Sequence, residues 1–285
     1  MHFEITGGTT MYKIGIDAGT TVTKLAAIND GKVTDLLRIN SNPTDSDIFA
    51  LYHKLVQLHN LTPDDIESIN LTGVGATGFN QKFDSITPSY IHEFDANVAG
   101  AAFIANGSND FLLISLGTGT SYIHVKDNTA SHLGGLGLGG GTVRGLSKYL
   151  VNTTDVKDLA VLANDGDLKN INLTIGDVSK EKFEGLMDNI TASNFGKADN
   201  NASSADIVCG IYSLVLENAI QTGCMLANQI GVSSIVLIGG LCNSDELPKN
   251  LDIFKQMYPN LNFITAKNGS YITAIGTAVG TAISH

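Results

Sequence analysis

The chain has 285 residues, 43% of them hydrophobic and 16% charged, and its formal net charge is -11. This composition is typical of a soluble protein long enough for two domains, or for one large domain with a deep cleft. The negative charge, with no cluster of Lys and Arg, argues against a nucleic-acid surface. No apolar run approaches the roughly 18 residues of a membrane span, so we expect a cytoplasmic protein that binds neither nucleic acid nor a membrane.

The amino terminus and the cysteines add little chemistry. Residues 1–11 are taken as an N-terminal extension, because MHFEITGGTT lacks the basic start and apolar core of a signal peptide. Three cysteines, Cys209, Cys224 and Cys242, are too few and too scattered for a disulfide framework or a CxxC metal site. We expect inert thiols in a reducing cytosol.

The first half of the chain begins with two strands around a Gly-Thr-Thr turn, which predicts a hairpin from Tyr12 to Asn29. Asp30-Gly31 is a tight-turn signal into a third strand, and Asn42-Pro43-Thr44 begins a helix with apolar residues at helical spacing. The further elements predicted here are strands at 32–39, 69–72 and 86–91, a helix with apolar positions Ile48, Leu51, Leu55 and Leu58, and a small-residue helix at 95–105 after Glu93.

The second half restarts the same pattern with strand, Gly-Thr-Gly turn and strand. A long helix at 206–229 is expected to bury Ile207, Ile211, Leu214, Ile220 and Leu226. The other predicted elements are strands at 111–116, 120–126 and 234–238, helices at 142–150 and 274–284, and irregular helices and loops at 152–203.

Two strand-turn-strand units predict an internally duplicated α/β fold with two lobes, whose cleft would receive one turn from each. We expect an N-terminal lobe at 12–110 and a C-terminal lobe at 111–285, with the last helix as a candidate to pack back on the first lobe.

The two Gly-Thr turns, in GIDAGTTVTK and SLGTGTS, expose backbone N–H groups and suit phosphate oxygens, although a lone turn of this kind is usually only a tight hairpin. Asp17 precedes the first turn alone, and a carboxylate there can hold the water shell of Mg²⁺ beside phosphates. Lys24 can supply a positive charge to the same phosphates, or it is a solvated lysine on a strand.

Glycine fills six of eight positions in GGLGLGGG, residues 134–141. Because glycine is unfavourable in regular structure, this stretch indicates backbone close to a ligand, followed by a helix N-terminus that favours anions. A flexible linker is the alternative. Gly239-Gly240, after an apolar strand, fits either a ligand loop or a plain strand-to-helix turn.

Several motifs carry a family resemblance. GIDAGTTVTK, SLGTGTS and the IGG turn resemble the two phosphate loops and the adenosine loop of the sugar kinase/actin/heat-shock ATPase superfamily. HEFDANVAGA at 92–101, GGLGLGGGTVRGLSKYL at 134–150 and NITASNFG at 189–196 resemble type II pantothenate kinases, in that family's order. The resemblance runs from Lys13 to Gly280 and so covers nearly the whole chain.

This resemblance implies an actin-like (ribonuclease H-like) duplicated two-lobed fold with an ATP cleft between the lobes. It also implies Mg²⁺ and ATP as cofactors, pantothenate as the acceptor in the first step of coenzyme A biosynthesis, and a homodimer. Glu93 falls on the family's catalytic glutamate, and a positioned carboxylate is the expected base for a primary alcohol. Without the family, Glu93 is equally well a cap at the helix start, and His92 beside it is a packing or surface residue.

The resemblance implies contacts for the remaining site residues. The predicted ATP contacts are Asp17, Ala18, Gly19, Thr20, Thr21, Val22, Thr23, Lys24, Thr118, Gly140, Gly141, Thr142, Val143, Arg144 and Gly240, with Asp17 also holding Mg²⁺ through water. The predicted pantothenate contacts are His132, Gly134, Thr191 and Ala192, the last two closing the pocket from the partner subunit.

One position departs from the family. Members usually carry an arginine, paired with the pantothenate carboxylate, where this chain has His132. A largely neutral histidine donates one hydrogen bond and cannot form a bidentate charged pair. We therefore expect a raised KM, or an acceptor without a carboxylate, such as pantetheine or a pantothenamide.

Other classes fit parts of the sequence. ATP-hydrolysing activators of 2-hydroxyacyl-CoA dehydratases share this fold, and LTGVGATG at 71–78 resembles their glycine motif. They hold an iron-sulfur cluster through cysteines on short loops, whereas Cys209 and Cys224 fall on the predicted long helix. A sugar kinase, which usually uses an aspartate base, and a ligand sensor without catalysis are further alternatives.

Overall fold

The computed structural model describes residues 11–20, 22–39, 44–105, 107–127, 129–179, 187–197, 201–266 and 268–280. Of the predictions above, the following lie outside these ranges: residues 1–10 of the extension, Thr21, Asn42-Pro43 at the predicted helix start, residues 180–186 and 198–200 of the irregular stretch, and residues 281–284 of the last helix.

Strands and helices alternate along the chain as follows. The strands are β1 (Tyr12–Ala18), β2 (Thr23–Asn29), β3 (Lys32–Ile39), β4 (Ile66–Thr72), β5 (Ser89–Tyr90), β6 (Asp110–Leu116), β7 (Thr120–Lys126), β8 (Thr129–Leu136), β9 (Leu173–Thr174), β10 (Thr191–Ser193), β11 (Ser234–Ile238) and β12 (Asn262–Thr265). The α-helices are α1 (Asp45–His59), α2 (Glu93–Ile104), α3 (Gly140–Val151), α4 (Val156–Asp165), α5 (Ile175–Val178), α6 (Ser204–Ile230), α7 (Glu246–Met257) and α8 (Ile272–Val279).

The chain divides into two compact units. Unit 1 comprises Met1–Asn109, Asp127–Ala130 and Tyr271–His285, and unit 2 comprises Asp110–Lys126 and Ser131–Ser270. The helix α8 therefore belongs to the unit that contains the first strands, although it is last in the chain.

Unit 1 contains a five-stranded mixed sheet in the order β3-β2-β1-β4-β5. Strands β1, β2 and β3 are antiparallel neighbours, whereas β1, β4 and β5 run parallel. Asp30 and Gly31 both have positive φ, which the predicted tight turn between β2 and β3 requires. The Asp-Gly signal in the sequence is thus confirmed.

Helix α1 covers part of the unit 1 core. Thr44 caps it, and the Asp47 side chain accepts a hydrogen bond from the Thr44 backbone, a capping box. The predicted helix is confirmed, and Ile48, Leu51 and Leu55 are buried in it together with Tyr52. Leu58, in the last turn, keeps the helical spacing but is 58% exposed.

Helices α2 and α8 pack with their backbones in close contact. A Cβ added at Gly276 would overlap the Ala96 carbonyl oxygen and come within 2.5 Å of the Gly100 amide, and one at Gly100 would overlap the Ile272 carbonyl. Only residues without a side chain permit this approach. Small residues also bring α8 against the sheet, where a Cβ added at Gly15 of β1 would overlap backbone atoms of Ala274 and Ala278.

We expect Gly276→Val to lower the free energy of unfolding by about 3 kcal/mol, because neither helix backbone can withdraw without losing its contacts. Gly145→Val is the matched control, since a Cβ at this helical glycine meets open space. Urea unfolding of both variants measures the difference, and equal midpoints would contradict the proposed close packing.

Unit 2 repeats the architecture with a sheet in the order β12-β11-β6-β7-β8. It again starts with an antiparallel hairpin, β6 with β7, and again has a parallel neighbour of its first strand, here β11. The α/β fold with two duplicated sheets, expected from the recurring strand-turn-strand pattern, is confirmed.

Helix α6 forms the centre of the unit 2 core. Its most buried face includes Val208, Ile211 and Val215, whereas the predicted Ile207, Leu214 and Leu226 are only half-buried. By length and composition α6 could cross a membrane, which the sequence analysis did not expect, and it is the one such helix in the described ranges. Of its most apolar window, 67% is buried inside the protein, as in a core helix.

Candidate active site

In unit 1, Asp17 lies near the end of β1 in a row of three side chains across the sheet. Lys24 of β2 and Thr72 of β4 are its register partners on either side. The Asp17 side chain is 10% exposed, and its Oδ2 is 3.5 Å from Lys24 Nζ. Among the described residues, nothing donates a hydrogen bond to Oδ1, so one oxygen of this carboxylate is available to a ligand.

Burial raises the pKa of Asp17 above its ordinary value. The Lys24 charge acts against this shift, and the Glu93 carboxylate adds to it by repulsion. Both acidic groups are therefore close enough to interact within unit 1.

The Thr72 hydroxyl is fully buried and has no hydrogen-bond partner among the described residues. A buried, unpaired hydroxyl beside a carboxylate is costly unless a ligand or water satisfies it. One carboxylate with adjacent hydroxyl oxygen fits the preference of Mg²⁺, which keeps most of its waters and takes few protein ligands. The residues present thus fit a hydrated Mg²⁺ beside Asp17. Thr72 is a candidate for contact with its water shell, and the sequence did not predict it.

Glu93 is the first residue of α2, but it does not cap the helix. The cap is His92, whose Nδ1 accepts a hydrogen bond from Phe94 N at 3.3 Å. The Glu93 side chain is exposed and has no hydrogen bond or ion pair within the described part of the chain. Of the two readings of Glu93 from residues alone, the helix cap is wrong, and the chemical base stays a prediction.

In unit 2, the turn of SLGTGTS and the glycine-rich stretch pack directly against each other. A Cβ at Gly139 would lie 2.5 Å from the Thr118 carbonyl oxygen, and one at Gly141 3.0 Å from the same atom. The Thr120 hydroxyl also donates to the Leu138 carbonyl at 2.8 Å. Much of the glycine requirement thus comes from this backbone contact, and the linker alternative is wrong, since 134–136 continue β8 and 140–141 begin α3.

The contact also uses donors at the start of α3. Gly140 N donates to the Gly117 carbonyl at 2.8 Å, and Gly141 N donates to the Thr118 carbonyl at 2.9 Å. These amides are already paired, so the α3 N-terminus offers fewer free donors to an anion than the sequence suggested. Arg144, exposed in the first turns of α3, can supply positive charge at this end.

Gly240 lies beside the same turn. It follows β11, which pairs in parallel with β6 so that Ile238 lies opposite Ser115, and a Cβ at Gly240 would meet nothing within 4 Å. Unit 2 therefore brings together Thr118, the 140–144 segment and Gly240, where two parallel strands end.

The predicted substrate residues fall in two places in unit 2. His132 and Gly134 lie on β8, where His132 is exposed. Thr191 and Ala192 lie on β10, and the Thr191 hydroxyl donates to Glu217 Oε1 at 2.9 Å. No hydrogen bond among the described residues joins these two pairs. Sequence reasoning did not single out Glu217, although it is the one charged residue between 207 and 230.

Cys209 and Cys224 are buried and Cys242 is partly buried, and the Cys209 thiol donates to Glu246 Oε2 at 3.8 Å. Burial raises the pKa of Cys209, Cys224 and Cys242 to about 12, which opposes the thiolate form that metals bind. No group of three or more His, Cys, Asp or Glu suited to a metal ion occurs in the described ranges.

Known structures match this fold over most of their length. Component A of (R)-2-hydroxyglutaryl-CoA dehydratase from Acidaminococcus fermentans aligns with a TM-score of 0.64 and 19% identity, covering 95% of this chain and 98% of that one. The activator of 2-hydroxyisocaproyl-CoA dehydratase from Clostridium difficile, solved with ADPNP, aligns with a TM-score of 0.63 and 18% identity, covering 94% of this chain and 93% of that one. A ROK family glucokinase from Streptomyces griseus, with glucose and AMPPNP, aligns with a TM-score of 0.54 and 15% identity, covering 94% of this chain and 98% of that one. The chain thus has the actin-like ATPase fold of these proteins.

Sequence comparison narrows the class to a family. A type II pantothenate kinase from Bacillus cereus (strain ATCC 14579) is 34% identical over 275 residues, covering 92% of this chain and 96% of that protein. One from Bacillus thuringiensis subsp. konkukian is 32% identical over 272 residues, covering 92% and 95%. The Fumble family model matches residues 106–279. The chain belongs to the type II pantothenate kinase family, whereas its likeness to the dehydratase activators extends to the fold alone.

Proposed function

We propose that the chain transfers the terminal phosphoryl group of ATP to the primary hydroxyl of pantothenate, giving 4′-phosphopantothenate for coenzyme A biosynthesis. The observation that carries this proposal is the exposed Glu93 carboxylate, which has no structural partner among the described residues because His92 caps α2. Membership in the pantothenate kinase family supports the choice of acceptor.

Glu93 is proposed as the base. An alcohol attacks poorly while protonated, and a carboxylate within hydrogen-bond reach takes its proton as the phosphoryl group is transferred. Glu93 begins a helix, so its negative charge is favourable at that end in the resting enzyme.

The β1–β2 hairpin is proposed to hold phosphates. Lys24 lies 3.5 Å from the Asp17 carboxylate and is proposed to provide positive charge to the phosphate oxygens. Asp17 and the unpaired Thr72 hydroxyl orient the water shell of Mg²⁺, which neutralises charge on the phosphates when bound. Ala18, Gly19, Thr20, Val22 and Thr23 are proposed to surround the same phosphates.

In unit 2, the nucleotide contacts are proposed at the contact between the turn and the glycine-rich stretch. Thr118 and Arg144 are exposed there and supply a hydroxyl and a charge. The backbone of Gly140, Gly141, Thr142, Val143 and Gly240 is proposed to lie close to the nucleotide, and the three glycines among them permit the closest approach.

An ADP-release assay tests the proposal, with pantothenate, pantetheine, a pantothenamide and common sugars compared side by side. We expect turnover with pantothenate above that with every sugar. Preference for a sugar, or ATP hydrolysis that no acceptor stimulates, would contradict the proposed function.

His132→Arg is expected to lower the KM for pantothenate about tenfold or more, since a hydrogen bond to a charged group is worth about 1.5 to 3 kcal/mol. Pantetheine, which has no carboxylate, is the internal control, and its KM should not change. Steady-state kinetics with both acceptors measures this, and an unchanged KM for pantothenate would remove His132 from the carboxylate site.

We further propose that the enzyme is a cytoplasmic homodimer, on the strength of the family resemblance. Light scattering after size-exclusion chromatography tests the dimer, and a monomer at micromolar concentration would contradict it. That the chain binds neither nucleic acid nor a membrane stays a prediction from its charge and composition.

A further inference from the structure

Glu217, in the middle of α6, accepts hydrogen bonds on both carboxylate oxygens. Thr191 Oγ1 donates to Oε1 at 2.9 Å, Ser213 Oγ donates to the same oxygen at 2.6 Å, and Asn194 Nδ2 donates to Oε2 at 2.9 Å. Two of these donors belong to the segment 191–195, which includes the proposed substrate contacts. One carboxylate thus ties this segment to the central helix of unit 2.

A second set of hydrogen bonds fixes the end of the same segment. Phe195 N donates to Asn172 Oδ1 at 3.0 Å, and Asn172 Nδ2 donates to Ser213 Oγ at 3.1 Å. Asn172 and Ser213 are almost completely buried. Phe195 has a φ of 57°, a conformation that a residue with a large side chain rarely adopts without support. The Phe195 ring packs against Gly210, where a Cβ would lie 3.1 Å from it.

Glu217 is held by neutral donors, and the cation that lines a pocket with it, Lys249, pairs with Glu246 instead. No Lys, Arg or His forms an ion pair with Glu217 among the described residues, and a pocket of about 170 Å³ opens beside it, lined in part by Ile190, Asn218 and Met257. An ionised carboxylate accepts hydrogen bonds and donates none, so it holds three donors at once, which a neutral amide cannot do.

We propose that Glu217 is a positioning residue that sets the direction of hydrogen bonding at Thr191. The single hydroxyl hydrogen of Thr191 is donated to Glu217, so the Thr191 oxygen is left with acceptor lone pairs only. The group that Thr191 meets on the phosphoryl acceptor must therefore be a donor, a hydroxyl or an amide N–H, and a carboxylate is rejected at this position. The inference rests on the proposed function and on the prediction, from the family resemblance, that Thr191 contacts the phosphoryl acceptor.

Two variants of Glu217 and one control test the inference. Glu217→Ala removes all three acceptor sites, and we expect the KM for pantothenate to rise about tenfold while kcat and the KM for ATP stay within about twofold. Glu217→Gln keeps one acceptor and should give an intermediate KM. Gln221→Ala is the control, since Gln221 lies one turn further along α6 and donates to Tyr258 Oη at 2.7 Å instead.

Hydrogen exchange provides a readout that needs no turnover. In the free enzyme, Glu217→Ala should speed the exchange of amides in a peptide covering 187–197, whereas Gln221→Ala should not. If the wild type does not phosphorylate pantothenate, the proposed function fails. The exchange experiment on the free enzyme then still tests Glu217, and the KM comparison is made with the best acceptor from the ADP-release assay. Unchanged exchange, or a fall in kcat with equal changes in every KM, would overturn the inference. Should Glu217→Ala not fold, Glu217→Gln carries the same comparison.

Discussion

Replacing Glu93 by glutamine is expected to lower turnover about a hundredfold or more while ATP binds as before. Glutamine keeps the size of the side chain but cannot take the proton of the attacking hydroxyl. The exposed position and the absence of a structural partner among the described residues mean that the fold loses little. Stopped assays of 4′-phosphopantothenate and calorimetric titration with a non-hydrolysable ATP analogue measure the two effects.

His92→Ala is the control for disturbance of the start of α2. Loss of a cap costs about 1 kcal/mol of stability, so this variant should melt earlier but retain most of its turnover. Near-normal turnover in Glu93→Gln would show that another group takes the proton.

Replacing Asp17 by asparagine is expected to lower turnover about a hundredfold or more and, at neutral pH, to raise the melting temperature. Burial raises the pKa of this carboxyl in the folded chain, so the folded state holds the proton more firmly than the unfolded state. Stability from this group is therefore full below the unfolded pKa near 3.8 and is lost as the pH rises through the raised folded pKa. An uncharged asparagine removes this loss.

Thermal melts between pH 3 and pH 8 measure whether Asp17→Asn raises or lowers the melting temperature. The gain in Asp17→Asn should be present at pH 7 and shrink below about pH 4, where Asp17 is protonated in both states. Asp64→Asn, at an exposed position of the same unit, should change neither the melts nor the turnover. A lower melting temperature for Asp17→Asn at pH 7 would mean that the Lys24 pair outweighs desolvation.

The sequence predicted those features whose signals are local. The Asp30-Gly31 turn, the capped start of α1 and the apolar strand β11 follow from residue types alone, and the family motifs lead to Glu93. The sequence could not predict that His92, and not Glu93, caps α2, because both readings satisfy the same local pattern. Nor could it predict that the glycines at 139 and 141 meet the Thr118 carbonyl, since this contact joins segments about 20 residues apart. Glu217 shows the same limit, since two of its partners, Thr191 and Asn194, lie in a distant segment that the motif assigned to the substrate.

The place of α8 in unit 1 has a consequence for how the protein is made. Unit 2 is nearly continuous in sequence and ends at Ser270, whereas unit 1 includes β1 at one end of the chain and α8 at the other. During synthesis from the amino terminus, the strand β1 must wait for almost the whole chain before its helix partner leaves the ribosome. Ile14 and Ile16 can pack with α1 as soon as that helix has been made, whereas the side of β1 at Gly15 stays uncovered until α8 arrives.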